Sequence, residues 1–319
     1  MKRRSLLAAA LPLLAMPAAF AQAPRVRRIG VLIDGAPPHP LPEALLIGMK
    51  QRGYAEGALA FEVRYANGQP ERSAEQAAEL VSGGVDAIVA HFTPSVRAAM
   101  AATGTIPIIM APAGAPVETG LVASLSRPGG NVTGVTNMAA ELGGRRLQLL
   151  KDMIPTLGRV GVLVSTHDAF TQPFVGYLQQ AATGGGLQLD PVAISGADGF
   201  EAAFAAMVER RAGAAIIQGV FNSRRTELVA LAGRHRLPTM WFDRRAVEEG
   251  GLVSLSANTA DMFRRACDLL DRVLRGAKAG ELPVEQPSVF ELVLNRGTAR
   301  ALGITVPRSV LVQADDVVE

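Results

Sequence analysis

Small hydroxyl, amide and carboxyl side chains cluster directly after apolar runs of this sequence. The run that ends at His91 is followed by Thr93 and Ser95, and the run that ends at Phe221 is followed by Asn222. Such groups hydrogen-bond to small molecules, and several would begin helices, where free backbone N–H groups favour an anion. No nucleophile and base can be paired among them, so the pattern predicts ligand recognition rather than catalysis.

The loops after the apolar runs also hold many of the few aromatic residues in the chain. These loops contain Phe92, Phe170, Phe221, Trp241 and Phe242, together with the polar residues Asp34, Asp243 and Ser256. Aromatic walls with a few polar donors are typical of a pocket for a small organic ligand. Each polar residue alone has a second interpretation, because Thr93, Asn222 and Ser223 are also ordinary helix N-caps.

The spacing of the apolar runs predicts two similar α/β halves. The runs lie at 28–33, 61–65, 85–91, 106–110 and 132–136 in the first half, and at 159–164, 187–194, 214–220, 238–242 and 252–256 in the second. Helical patterns separate them, which is typical of βαβ units in a parallel sheet. The sequence therefore predicts two doubly wound lobes, and in such sheets ligands bind beyond the carboxyl ends of the strands.

The N-terminus is predicted to be a signal peptide that covers residues 1–21. Lys2-Arg3-Arg4 precedes an apolar stretch, and Ala19-Phe20-Ala21 fits the cleavage site. Cleavage before Gln22 predicts a periplasmic, soluble protein. The residue after the cleavage site is not cysteine, so a lipoprotein is not expected.

Composition and motifs argue against several classes of protein. Without the three basic residues of the signal peptide, 29 of the 32 Lys and Arg remain, which equals the 29 Asp and Glu, so we expect no nucleic-acid partner. The four histidines lack metal-ligand spacing, and neither a Walker loop nor a Gly-x-Ser-x-Gly turn occurs. Cys267 is the single cysteine and forms no internal disulfide. We predict no metal, no cofactor and no enzymatic activity.

One long stretch and several short ones resemble a known family. They are GLVASLSRPGGNVTGVT at 120–136, Glu141-Leu142-Gly143, Arg146-Leu147, Phe221-Asn222-Ser223-Arg224-Arg225, Glu249-Gly250-Gly251-Leu252 and Phe290-Glu291-Leu292-Val293-Leu294-Asn295. The chain resembles, over essentially its whole length, the periplasmic substrate-binding proteins of ABC transporters, in the branch related to the tryptophan- and tyrosine-binding type. The resemblance implies the type I periplasmic-binding-protein fold, whose two hinged lobes close on a ligand.

The resemblance also implies a division of the chain and a set of ligand contacts. Lobe 1 would comprise 26–137 plus 258–282, and lobe 2 would comprise 138–257 plus 283–319. Carried over by position, the ligand contacts are Thr93, Ser95, Ala113, Gly114, Ser165, Thr166, Phe221 and Asn222, and the strand-end loops add Asp34, Phe242, Asp243 and Ser256. The expected partner besides the ligand is an ABC permease with its ATPase, and the protein is expected to be a monomer.

The identity of the ligand stays open at this stage. Relatives often have Asp-Pro-Val where this chain has Ala115-Pro116-Val117, so an acidic group that could meet an amino group is absent. Asp34, Asp168 or Asp243 could replace it. The expected function is capture of an amino acid or an aromatic or carboxylate compound, which lobe closure then delivers to the permease. The alternatives are a stand-alone binding module that feeds a sensor protein and, less favoured, an exported enzyme.

Overall fold

The computed structural model describes residues 25–319, so the predicted signal peptide lies outside the described residues. The described chain forms two sheets, parallel except for one strand pair, with helices on both faces. None of its helices is long and apolar enough to cross a membrane. The predicted fold class, two α/β lobes with parallel sheets, is confirmed.

The first sheet has five strands in the order β2-β1-β3-β4-β5, all parallel. Its elements are β1 (Arg27–Ile33), α1 (Leu41–Gln51), β2 (Leu59–Tyr65), α2 (Pro70–Ser82), β3 (Ala87–His91), α3 (Phe92–Ala102), β4 (Ile108–Ala113) and β5 (Val132–Thr136). Val31 and Ile33 pack in one core cluster while Leu32 packs in another. Residues of one strand therefore alternate between two buried faces, as expected when helices cover both sides of a parallel sheet.

The second sheet has seven strands in the order β12-β11-β10-β9-β8-β6-β7, of which only β10 and β11 pair antiparallel. Its elements up to β10 are α4 (Gly143–Met153), β6 (Arg159–Ser165), α5 (Thr171–Gly184), β7 (Gln188–Ile194), α6 (Phe200–Glu209), β8 (Ala214–Ile217), α7 (Arg225–Arg234), β9 (Thr239–Trp241), α8 (Arg244–Glu248) and β10 (Val253–Ala257). After α9 (Thr259–Leu274) come β11 (Phe290–Asn295), α10 (Arg296–Ala301), α11 (Arg308–Gln313) and β12 (Asp316–Val318).

Three chain segments connect the two sheets. They are residues 137–142 between β5 and α4, residue 258 between β10 and α9, and residues 282–289 before β11. Helix α9 packs against α1 and the first sheet, with Phe263 and Leu270 in that core. Asn258 starts α9 by accepting a hydrogen bond from the backbone N–H of Asp261 at 2.8 Å.

The boundaries of some elements differ from the sequence prediction. The strand predicted at 214–220 ends at Ile217, and a short 3₁₀ helix, Gly219–Arg224, follows it. Residues 284 and 285, which the sequence analysis places in lobe 2, hydrogen-bond to Leu125 and Gly134 of the first sheet region. The proposed lobe limits themselves stay a prediction.

Candidate ligand-binding cleft

A cavity of about 230 Å³ lies between the carboxyl ends of the two sheets. From the first sheet region it is lined by residues that follow β1, β3 and β4, among them His39, Phe92 and Gly114. From the second it is lined by residues that follow β6 and β9, among them Asp168 and Phe242. The cavity therefore lies where the carboxyl-end rule for parallel sheets expects a ligand site, and its use as the ligand cleft stays a prediction.

The two lobes touch each other at two places, one of which is in the cavity wall. Tyr177 Oη of α5 lies 3.2 Å from Glu118 Oε1. A Cβ placed on Gly114 would lie 2.5 Å from Cδ2 of Phe170, so the Phe170 ring packs where a side chain at position 114 would otherwise stand. The absence of a side chain at Gly114 thus permits this approach of the lobes.

Arg146 on α4 provides a buried positive charge in the cavity wall. The residue is 1% exposed, and its guanidinium lies above the Phe242 ring, with Cζ 3.8 Å from the ring centroid. Nε and Nη2 donate to the backbone carbonyl of Leu255 at 2.9 and 2.8 Å, and Nη1 donates to that of Ala139 at 2.5 Å. Burial lowers the pKa of Arg146 to about 9, against the opposing effect of Glu141, so the group stays cationic at neutral pH.

The other arginines near the cavity already have acidic partners. Arg225 Nε lies 2.7 Å from Glu249 Oε1, and Arg245 Nε lies 3.0 Å from Asp243 Oδ2. Among the cavity-lining arginines, Arg146 alone has no carboxylate within salt-bridge distance in residues 25–319. A guanidinium has five N–H donors, and the carbonyls of Leu255 and Ala139 occupy three of those on Arg146. Two remain for an anion.

The acidic residues near the cavity are hydrogen-bonded to the protein or have a raised pKa. Asp168 accepts hydrogen bonds from the backbone N–H of Phe170 at 2.9 Å and from Gln218 Nε2 at 3.0 Å. Burial raises its pKa to about 6. Burial and then the neighbouring charge of Asp168 raise the pKa of Asp34 to about 7. Asp243 caps α8 and pairs with Arg245.

Half of the residues predicted to contact a ligand line the cavity. They are Thr93, Gly114, Asn222, Phe242, Asp243 and Ser256. Asn222 Oδ1 is buried and has no hydrogen-bond partner in the described chain. Thr93 Oγ1 accepts a weak hydrogen bond from the backbone N–H of Gly114 at 3.4 Å. Ligand contact by these six residues stays a prediction.

The remaining six, Asp34, Ser95, Ala113, Ser165, Thr166 and Phe221, are not part of the cavity wall. Phe221 instead packs edge-on against Phe200, with ring centroids 5.4 Å apart. Ser165 Oγ accepts from the backbone N–H of His167 at 3.2 Å, and Thr166 Oγ1 donates to the carbonyl of Ile194 at 3.3 Å.

The other three of these six residues are buried beside the cavity rather than in its wall. Ser95 lies within α3 and is fully buried. Ala113 is the last residue of β4, and its carbonyl accepts from the backbone N–H of Asn137. Asp34 follows β1 and is 3% exposed. For Asp34 and Ala113 the next residue along the chain, Gly35 and Gly114 respectively, lines the cavity.

Residues that are not among the predicted ligand contacts also line the cavity. They include Arg146, His39, His91, Arg245 and Phe263. Phe170, predicted as an aromatic residue of a strand-end loop, and Asp168, a candidate acidic group, also line it. Residues 25–319 contain no group of three His, Cys, Asp or Glu side chains arranged to hold a metal ion. The wall therefore combines aromatic surface, one unpaired cation and several hydrogen-bonding groups.

A family model described as ABC transporter substrate binding protein matches residues 40–318. The chain belongs to this family. It is 28% identical over 257 residues to a tyrosine-binding protein of Clostridioides difficile, and the match covers 80% of this chain and 74% of that protein. The family and the fold are those of substrate-binding proteins rather than enzymes.

Solved structures give the same fold over almost the whole chain. An ABC domain from Streptococcus pneumoniae in complex with L-Trp superimposes with a TM-score of 0.85 at 27% identity, covering 92% of this chain and all of that one. A conserved domain protein from Vibrio cholerae gives the same TM-score, identity and coverage of this chain. This substrate-binding protein therefore shares its two-lobed architecture with a ligand-bound relative.

Proposed function

We propose that this protein is a periplasmic receptor that closes its lobes around a small organic carboxylate and delivers it to an ABC permease. The observation that carries the proposal is the unpaired guanidinium of Arg146 in the cavity wall. The receptor acts as a monomer and leaves the cytoplasm with the signal peptide at residues 1–21. The ligand is an amino acid or an aromatic carboxylate.

A carboxylate is the natural complement of Arg146. A buried charge without a counter-ion is costly, and removing one member of a buried pair usually destabilises the protein by about 3–5 kcal/mol. A guanidinium binds a carboxylate through two parallel N–H···O bonds, and Arg146 has donors left for this purpose. A bound carboxylate would therefore satisfy the charge that the protein leaves uncompensated.

The rest of the wall fits a compact, flat body attached to the carboxylate. Phe92, Phe170, Phe242 and Phe263 line the cavity, and aromatic surfaces stack on aromatic or planar apolar ligands. The volume of about 230 Å³ lies below the roughly 300–1,000 Å³ typical of pockets for drug-sized molecules. Size and lining together favour a ligand with one ring or a fused pair of rings.

Recognition of an amino group is less well supported by the lining residues. Asp243 already pairs with Arg245, and both oxygens of Asp168 accept hydrogen bonds from the protein. The C. difficile relative is a tyrosine-binding protein and the S. pneumoniae structure holds L-Trp, so amino acids belong among the candidates. Simple aromatic acids without an amino group belong beside them.

Calorimetric titration of residues 22–319 with matched acids and amides tests the proposal. We would use benzoate, phenylacetate and indole-3-acetate against their primary amides, and L-Phe, L-Tyr and L-Trp against their amino acid amides. At least one acid should bind, and its amide should bind about 100-fold more weakly, because a charge-assisted contact at a buried site is lost. Small-angle scattering should show compaction with that acid. Equal affinity of acid and amide would contradict the proposal.

A further inference from the structure

Two histidines from separate segments of the first sheet region meet in the cavity wall. His39 follows β1, and His91 is the last residue of β3. Their ring centroids lie 4.4 Å apart in an edge-on arrangement, and the Phe92 ring centroid lies 3.9 Å from that of His91. Both histidines line the cavity. The function derived above uses neither of them.

The hydrogen-bonding state of the pair is asymmetric. His39 Nδ1 accepts a hydrogen bond from the backbone N–H of Leu41 at 3.2 Å, so in the neutral ring the proton is on Nε2, which is a donor. His91 is 7% exposed, and its Nδ1 is buried without a partner in the described chain. A buried polar group left without a hydrogen bond costs about 1–3 kcal/mol.

Both rings are neutral at the pH of the periplasm. Burial and then the charge of Arg245 lower the pKa of His39 to about 4. Burial, His39 and Arg245 lower the pKa of His91 well below its ordinary value. The pair therefore supplies no positive charge for a carboxylate, and that role stays with Arg146. What the pair offers is a donor and an acceptor for an uncharged group.

The backbone beside His91 adopts a conformation that aromatic residues rarely take. Phe92 has φ of 67°, in the left-handed region, directly where β3 ends and α3 begins. Such conformations cost about 1–3 kcal/mol and are concentrated at functional sites. Here the residue with this conformation, Phe92, lines the cavity, as does the preceding residue, His91.

We propose that His39 and His91 form a second polar subsite that binds a hydroxyl substituent of the ligand. A hydroxyl is the smallest group that both donates and accepts, so it can accept from His39 Nε2 and donate to a ring nitrogen of His91. The inference rests on the proposed function, in which Arg146 holds the carboxylate. It names the substrate class more narrowly as hydroxylated aromatic carboxylates.

Pairs of acids that differ by one hydroxyl test the inference by calorimetry. The probes are benzoate against 3- and 4-hydroxybenzoate, phenylacetate against 4-hydroxyphenylacetate, and L-Phe against L-Tyr. At least one hydroxylated acid should bind at least about tenfold more tightly than its parent acid. When a site that hydrogen-bonds a hydroxyl binds an analogue without one, the polar groups of the site are left unpaired. In His91→Leu this preference should fall to within about twofold, whatever the affinity for the parent acid becomes.

Two further variants keep the test informative if His91→Leu folds poorly. His91→Gln restores one donor and one acceptor and should recover part of the preference, and His39→Gln should reduce it. The control is His167→Leu, because His167 is exposed and lies outside the cavity wall.

Three outcomes would count against the subsite. If acids bind more tightly than their amides but a hydroxyl substituent does not raise the affinity, the subsite is excluded and the proposed function as a carboxylate receptor is retained. The same holds if His91→Leu weakens parent and hydroxylated acid equally. If no acid of either kind binds, the proposed function and the inference fail together.

Discussion

The two walls of the cavity differ in charge. Every ionic residue in the wall follows β5 in the chain and belongs to the second sheet region, and the five are Arg146, Asp168, Arg225, Asp243 and Arg245. The opposite wall contributes prolines, Phe92, Gly114 and the neutral pair His39 and His91. One lobe presents a fixed electrostatic pattern, whereas the other presents an uncharged surface with hydrogen-bonding groups.

This difference separates two tasks of ligand recognition. A buried charge discriminates strongly between an anion and a neutral molecule, because the wrong ligand leaves that charge unpaired. An uncharged wall discriminates between anions by shape and by single hydrogen bonds. The charged lobe is thus expected to set the class of ligand, and the uncharged lobe to select within that class once the lobes approach.

The largest expected effect comes from removing the unpaired charge. Arg146→Met should weaken binding of the tightest acid in the screen by about 100-fold or more, since truncation of a buried charged contact costs about 2–5 kcal/mol. Arg225→Met is the matched control, because Arg225 lines the same cavity but is paired with Glu249. Calorimetry measures both, and an unchanged affinity in Arg146→Met would assign the anion to another residue.

A second test blocks the approach of the uncharged wall. In Gly114→Ala the new methyl group would lie 2.5 Å from Phe170 Cδ2, so the lobes could close only after Phe170 moves. Overpacking of about 1–3 kcal/mol predicts a loss of affinity of about 5- to 150-fold. Scattering with ligand should show less compaction than in the unmodified protein.

The control for this test is a glycine with more space around it. In Gly35→Ala the methyl group would lie 3.2 Å from Ser223 Cβ, so a smaller change in affinity is expected. If both variants bind like the unmodified protein, the lobes need not approach as closely as they do in this structure.

The carboxyls near the cleft give a smaller, pH-dependent effect on stability. A raised pKa means that Asp34 and Asp168 hold their protons more tightly in the folded than in the unfolded chain. Their contribution to the free energy of unfolding is complete below the ordinary carboxyl pKa of 3.8. It is lost as the pH rises through the raised pKa, which is about 6 for Asp168 and about 7 for Asp34. Melting temperature should fall over this range, and Asp34→Asn should flatten the decline and raise stability near neutral pH.

The exposed Asp198 provides the comparison for this measurement. Its side chain is in contact with solvent, so Asp198→Asn is the matched substitution against which the flattening in Asp34→Asn is measured. A profile that declines as steeply in Asp34→Asn as in the unmodified protein would show that Asp34 is ionised in the folded state at neutral pH.

The smallest effect is expected at Asn222. The N-cap of α7 is Arg224, with no side-chain cap, and Asn222 Oδ1 has no partner in the described chain. Asn222→Ala should therefore weaken ligand binding by about fivefold, the value of one neutral hydrogen bond, with little change in melting temperature. A clear drop in melting temperature with unchanged affinity would indicate that Asn222 only supports the turn.

The fold could be predicted because its causes are local and repeated. Apolar runs separated by amphipathic helices favour parallel strands, and the ends of those strands indicate where the cavity lies. Individual residues were harder to place, since one position along the chain decides whether a side chain faces the core or the cavity. Ala113 and Gly114 illustrate this, because the first ends a buried strand while the second lines the wall.

Arg146 is not among the predicted ligand contacts, because those come from the loops at strand ends and Arg146 lies on a helix. It lies two residues after the pair Gly143-Gly144 and shares a buried stripe with Leu147, Leu150 and Met153. The sequence does contain a signal for Arg146, which is an arginine at a core position of an amphipathic helix. Charged residues are almost never fully buried without a partner, so an arginine at such a position indicates that a partner is needed. Its position beside Phe242, which is distant in sequence, depends on tertiary packing alone.

The contacts of Arg146 also have a mechanical consequence. Its guanidinium bonds to the carbonyl of Ala139, in the first segment between the lobes, and to that of Leu255, two residues before β10 ends at the second crossing. An anion on the remaining donors would orient the same planar group that joins these two crossings. We therefore expect ligand charge to stiffen the hinge itself, so that a filled receptor differs from an empty one in how freely its lobes rotate as well as in how far apart they stand.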